Sequence, residues 1–132
     1  MTKPLSKQRL ELLEHILPDD DIERAERHYP GAVRLHMCRR NTATLSVTGF
    51  IFIFSISLED DKECLVAGCE DRDIDLDVFS EHSPELWGYA FHRAAEAMLA
   101  LRNGHKAYAE ERKRRGQTKL REFAPTEAYE EQ

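Results

Sequence analysis

Residues 48–61 read TGFIFIFSISLEDD, an apolar run that ends in three acids. Its interpretation decides the class of protein. The uncharged stretch around it runs from Asn41 to Leu58, eighteen residues, the length at which a membrane-spanning helix becomes a candidate. The composition argues otherwise. Asn41, Thr42, Thr44, Ser46, Thr48, Gly49, Ser55 and Ser57 are polar or small, and the strongly apolar part is only Phe50 to Leu58. Nine residues as a helix would rise about 14 Å, roughly half the hydrocarbon thickness. The residue types select a strand instead. Phe50, Phe52, Phe54, Ile56 and Leu58 recur at period two, and Ile, Phe and Thr favour a pleated surface. The opposite face begins with Ile51 and Ile53 and continues with Ser55 and Ser57, so the strand is expected to be covered on both faces at one end and on one face at the other.

Working outward toward the N-terminus, AVRLHMC alternates Val33, Leu35 and Met37 against Arg34, His36 and Cys38, the pattern of a second half-covered strand. Between the two, TATLSV is either a separate strand or the bulged start of the long one, with Asn41-Thr42 and Thr48-Gly49 as turn or bulge positions. Further upstream, Leu10, Leu13 and Leu17 lie on one helical stripe, with Ser6 as cap and Pro18 as stop, which predicts a first helix. DDDIERAERHYPG predicts a second, with aspartates against the positive end of its dipole and Pro30-Gly31 closing it.

Downstream, EDDK is expected to be a hairpin loop, ECLVAGC an apolar strand, EDR a turn, and DIDLDVF a strand with Ile74, Leu76 and Val78 inward. Ser83-Pro84 then supplies a cap and a first-turn proline for a helix carrying Leu86, Ala90, Ala94, Met98 and Leu101 on one stripe, widened by Trp87, Phe91 and Ala95. Asn103-Gly104 is the expected stop, followed by a charged fourth helix anchored by Tyr108. The sum is an α+β fold of order ααββββαα: an antiparallel sheet of about four strands with helices on one face. It forms one domain over residues 1–120, with a tail over 121–132 that is loose unless the segment TKLREFAPTEAYEEQ docks through Leu120 and Phe123.

The chain has 132 residues, 41% hydrophobic and 33% charged, with a formal net charge of −6, the mix of a soluble globular protein. Its length suffices to bury about two thirds of the unfolded surface in a single core. Three cysteines, an odd and small number, argue against a disulfide framework, and the N-terminal residues show no secretory pattern, so a cytoplasmic location is expected.

The charge is unevenly laid out. Nine carboxylates fall between Glu59 and Asp77 against only Lys62 and Arg72. On a strand, Asp71, Asp73, Asp75 and Asp77 would form one row spaced roughly 6.5–7 Å apart. With Asp60 and Asp61, this row is the candidate surface for a basic partner, and its spacing also approaches that of successive phosphates, as in mimicry of a nucleic acid strand. The plain alternative is a solvated outer face that discourages edge pairing. A calcium loop starting at Asp71 fails, because Leu76 stands where glycine is needed and His82 where glutamate is needed.

Eight bases lie between Arg102 and Arg121 against Glu110 and Glu111. Within them Arg112, Lys113, Arg114 and Arg115 are the candidate nucleic-acid contacts, although a pI near 5.5 is far below that of typical nucleic-acid-binding domains. The same segment could pair with the acidic middle of a second copy to give a homodimer. His36, Cys38, Cys64 and Cys69 can be drawn as a zinc site, but no CxxC spacing supports it and Cys64 and Cys69 fall on opposite strand faces, so no metal and no cofactor is expected. His92 and Glu96, one helical turn apart with Arg93 beside them, are the only start of acid–base machinery, and the polar side of an amphipathic helix explains them as an exposed ion pair.

These features favour a small acidic cytoplasmic module for protein–protein interaction or regulation, in its specific form an inhibitor presenting an acidic strand to a basic protein surface. Nucleic-acid association through the basic C-terminal helix is the alternative, and a small enzyme built on the His92/Glu96 pair is the third.

Overall fold

In a computed structural model the chain is described over residues 3–69, 84–114, 116 and 128–129. The opening run forms β4 (Phe50–Glu59), third in a six-stranded sheet of order β1-β5-β4-β3-β2-β6. Its neighbours are β3 (Thr42–Val47) and β5 (Lys62–Cys69), each antiparallel to it, and β2 (Val33–Cys38) lies antiparallel beyond β3. These four make the expected antiparallel meander, and TATLSV is a strand in its own right. At the flanks, β1 (Lys3–Glu11) pairs antiparallel with β5, and the two-residue β6 (Ala128–Tyr129) pairs parallel with β2.

Two tight turns set the register of the meander. Thr48 (φ 52°) and Gly49 (φ 90°) join β3 to β4, and Asp60 (φ 51°) and Asp61 (φ 63°) join β4 to β5. Two-residue loops with both central residues left-handed match the right-handed twist of the strands they connect. The cross-strand pairs that close them are Val47 with Phe50 and Glu59 with Lys62. One row across the sheet therefore aligns Cys38, Ala43, Phe54 and Ala67.

The row faces α2 (Pro84–Arg114), which lies against one face of the sheet. Phe52 and Phe54 are fully buried, and each meets an aromatic ring of α2 edge to face: Phe52 with Trp87 at 4.8 Å and Phe54 with Phe91 at 5.2 Å. The predicted stripe of α2 is buried as expected except at Leu101, which is half-buried, and Tyr89, His92, Ala97 and Leu99 are buried too. The helix is covered on its other side by α1 (Asp19–His28) and the segment before it, where Ile22 and Ala25 pack on Tyr89. No helix among the described residues is long and apolar enough to cross a membrane.

The helix count departs from the expected order. No helix forms over residues 6–17. Lys3–Glu11 is a strand and only Leu12–His15 makes a short 3₁₀ turn. The cause is non-local: β5 carries buried Leu65 and Ala67 and would otherwise leave an unpaired backbone edge. A polar strand interrupted by irregular register, with Pro4 in it, suits that edge position. At the other end, Asn103-Gly104 does not stop α2, which runs through to Arg114 as one helix. A glycine inside a helix costs only about 1 kcal/mol, and good helix formers follow it. Among the described residues two α-helices therefore stand where three of the expected ones were placed on the sequence: α1, and α2 in place of the two expected after Ser83. The strand expected over DIDLDVF and the docking of Leu120 and Phe123 lie outside the described residues.

Candidate functional site

The acidic candidates are resolved in part. Asp60 and Asp61 form the exposed tip of the β4–β5 hairpin, and the residue before the acids, Leu58, is 73% exposed. Asp71, Asp73, Asp75 and Asp77 lie outside the described residues. Among the basic candidates Lys113 and Arg114 are exposed at the end of α2, while the Arg112 side chain and Arg115 are outside the description.

Beneath the tip is a cavity of about 350 Å³ lined by Leu12, Leu13, Asp61, Lys62, Glu63, Leu99 and Arg102. Three elements that are distant in sequence meet there: the 3₁₀ turn, the hairpin and α2. Arg102 braces the hairpin. One guanidinium nitrogen donates to Glu63 Oε1 at 2.8 Å and another to Asn41 Oδ1 at 2.7 Å. The backbone carbonyl of Asn41 in turn accepts the Ile56 N–H at 3.0 Å, which ties the β2–β3 loop to β4.

A second cavity, about 220 Å³, lies between α1 and α2 and is bordered by His92 and Glu96 with Glu26, Tyr89 and Arg93. The expectation of an exposed His92/Glu96 pair is overturned, since the two residues are 1% and 4% exposed. They are covered because the chain crosses α2 just before α1: the Leu17 N–H donates to His92 Nδ1 at 3.1 Å. That bond places the imidazole proton on Nε2, which lies 3.4 Å from Glu96 Oε2. Arg93 donates to the other carboxylate oxygen at 3.1 Å. Tyr89 donates to Glu26 Oε2 at 2.9 Å and stacks on His92. Burial, and then the Glu26 carboxylate, push the Tyr89 hydroxyl well above its ordinary pKa.

This arrangement fastens α1 and the crossing segment to α2. It is poorly suited to general-base chemistry: the one lone pair of the His92 ring is committed to a backbone amide. A Tyr89→Phe variant should stay folded and lose about 1 kcal/mol in urea denaturation, the worth of one part-buried hydrogen bond to a carboxylate. A loss below about 0.3 kcal/mol would mean that the Glu26 bond contributes nothing.

His15, in the 3₁₀ turn, stacks on Phe91 at 5.3 Å, and its Nε2 is buried without a hydrogen-bond partner. Burial lowers its pKa to about 4, Glu14 opposes the shift and His92 adds to it. The three cysteines are free thiols and buried, whereas His36 is exposed, and among the described residues no three His, Cys, Asp or Glu side chains come together as a metal-holding group.

The cavity under the hairpin and the Tyr89–Glu26 contact were not foreseen from the sequence. Leu12, Leu13 and Leu99 look like ordinary core positions, and nothing local marks Arg102 as the partner of Glu63, thirty-nine residues away. Compared with protein-family models, curated proteins and solved structures, the chain gives no significant match.

Proposed function

We propose that the protein is a small interaction or regulatory module, of inhibitor type, that offers an acidic surface to a basic surface on another protein. The observation that carries this reading is the hairpin tip. Asp60 and Asp61 both hold left-handed backbone angles, 51° and 63°, in a turn that Asn-Gly would make with less strain. Two adjacent like charges also repel. The fold gains nothing from carboxylates here, and the neighbouring Leu58, 73% exposed, gains nothing from water. Acids beside an exposed aliphatic side chain suit a partner that brings both charge and apolar surface.

The double variant D60N/D61G separates fold from function. It should be more stable than the parent by about 1 kcal/mol, since it relieves the left-handed aspartates. That corresponds to roughly 4 °C in melting temperature for a domain of this size. Retention of partners from a lysate of the native host, identified by mass spectrometry and then titrated in purified form, gives the second readout. The expected result is a basic protein whose affinity falls at least tenfold in the more stable variant and weakens with salt. Retention of nucleic acid alone, or of a protein that binds parent and variant equally, would overturn the proposal.

A further inference from the structure

The stretch between β1 and α1, residues 12–18, crosses α2 and meets it through two imidazoles. His15 belongs to the stretch itself. It is 7% exposed, stacks on Phe91 at an interplanar angle of 18°, and has its Nε2 buried with no hydrogen-bond partner. A neutral ring tolerates that place at the cost of one unmet hydrogen bond, whereas an imidazolium would bury a charge as well. His92, on α2, is the fixed half of the clasp. Its Nδ1 accepts the Leu17 N–H at 3.1 Å, which requires that nitrogen to carry no proton. Both flanks of the stretch are anchored by other contacts. β1 ends at Glu11, which pairs with Cys64 of β5. α1 is tied to α2 by the Tyr89–Glu26 bond at 2.9 Å and by His28 Nδ1 against Glu85 Oε1 at 2.8 Å. Among the described residues no strand pairing uses residues 12–18.

We infer that residues 12–18 are an acid-released latch: closed over α2 while His15 is neutral, they open when His15 takes up a proton, with the sheet and α2 still folded. Opening bares Phe91 and the side of α2 that the stretch covers. Burial holds the His15 pKa down to about 4, Glu14 on the same turn works against the shift, and His92 on α2 adds to it. Around His92 stand Tyr89, Arg93 and Glu96 of α2 and Glu26 of α1. Glu96 Oε2, 3.4 Å from Nε2, would steady a charged His92 ring, but the added proton would sit on Nδ1 and expel the Leu17 amide. Asp19 is buried at the start of α1, and Asp61, Lys62, Glu63 and Arg102 line the cavity beside Leu12 and Leu13. In the opened stretch His15 has the ordinary value of 6.5, so the latch is closed above that pH and opens progressively as pH falls toward 4. Between pH 7 and pH 5 the open fraction rises about twentyfold.

Hydrogen exchange of the full chain, labelled with ¹⁵N, reads the opening amide by amide once each rate is corrected for the intrinsic effect of pH on exchange. The Ile16 and Leu17 amides should lose about twentyfold of their protection from pH 7 to pH 5. Urea below the unfolding transition should leave their rates nearly unchanged, because a local opening exposes little surface. The Phe52 and Phe54 amides of β4 should be better protected at both pH values and should exchange faster as urea rises. In His15→Phe, which keeps an aromatic ring on Phe91, protection of Leu17 should change less than threefold between the two pH values. The ring ¹⁵N signals of His92 should show Nδ1 without a proton at pH 7. The latch is overturned if Leu17 follows Phe54 in both protection and urea dependence, since the stretch would then leave only when the whole domain unfolds. Protection of Leu17 that ignores pH in the parent, a twentyfold loss that persists in His15→Phe, or a proton on His92 Nδ1 at pH 7 would each overturn it as well.

Discussion

Phe54→Ala should lower the stability of the domain by about 3–5 kcal/mol, the usual range for an aromatic residue removed from a packed core. Phe54 is fully buried, and its flanking cross-strand partners are Ala43 and Ala67, side chains too small to collapse into the space it leaves. Its ring meets Phe91 at 5.2 Å and an interplanar angle of 90°, so an edge-to-face contact is lost along with the buried area. The whole stability of a domain is only about 5–15 kcal/mol, and a loss of this size leaves the variant marginal at physiological temperature. Urea denaturation of the variant beside Ile51→Ala is the check. Ile51 is on the opposite face of the same strand and 36% exposed, and its truncation should cost only about 1 kcal/mol. If the two variants proved equally stable, α2 would not be packed on the Phe52/Phe54 face.

The second large effect is a loss of stability in mild acid that traces to His15. Its folded pKa is about 4, against 6.5 for the unfolded chain. The neutral form is favoured in the fold, so this contribution is fully present above pH 6.5 and is lost as pH falls from there to about 4. Its size is about 3 kcal/mol at one pKa unit per 1.36 kcal/mol. The groups facing His15 act in both directions. Glu14, on its own turn, favours the protonated ring, whereas His92 on α2 opposes it. Burial against Phe91 is the larger cause and decides the sign. The measurement is the urea midpoint of the parent and of His15→Phe at pH 7 and pH 4.5. Carboxylate titration affects both proteins alike, and the parent should lose more stability than the variant by about 2 kcal/mol over that interval. Equal losses would mean that His15 does not carry the acid sensitivity.

What could be known without the fold follows the range over which each signal acts. β4 was legible because period two and strand-forming residues act over ten neighbouring positions, and α1 because three aspartates open a helical run. The hairpin tip was legible because Glu59-Asp60-Asp61 interrupts two apolar runs. SKQRLELLEHIL was misassigned for the same reason turned around. Its leucines satisfy a helical stripe locally, but the backbone edge of β5, more than fifty residues away, takes residues 3–11 as a strand. Local propensity is a matter of tenths of a kcal/mol per residue, whereas an unpaired buried edge costs more for each group left open.

The site divides in the same way. The sequence alone determined the charge layout, the strand β4 that leads into the first acids and the helix that covers it, because charge and periodicity are properties of neighbours along the chain. Only the tertiary structure decided that His92 and Glu96 are buried, since it is the Leu17 amide from the crossing segment that closes over them. It also decided that Leu12, Leu13 and Leu99 floor a cavity beneath Asp61, with Arg102 bracing its wall. Burial and enclosure depend on which distant surfaces meet, and that is set by the summed packing of the whole chain rather than by any stretch of it.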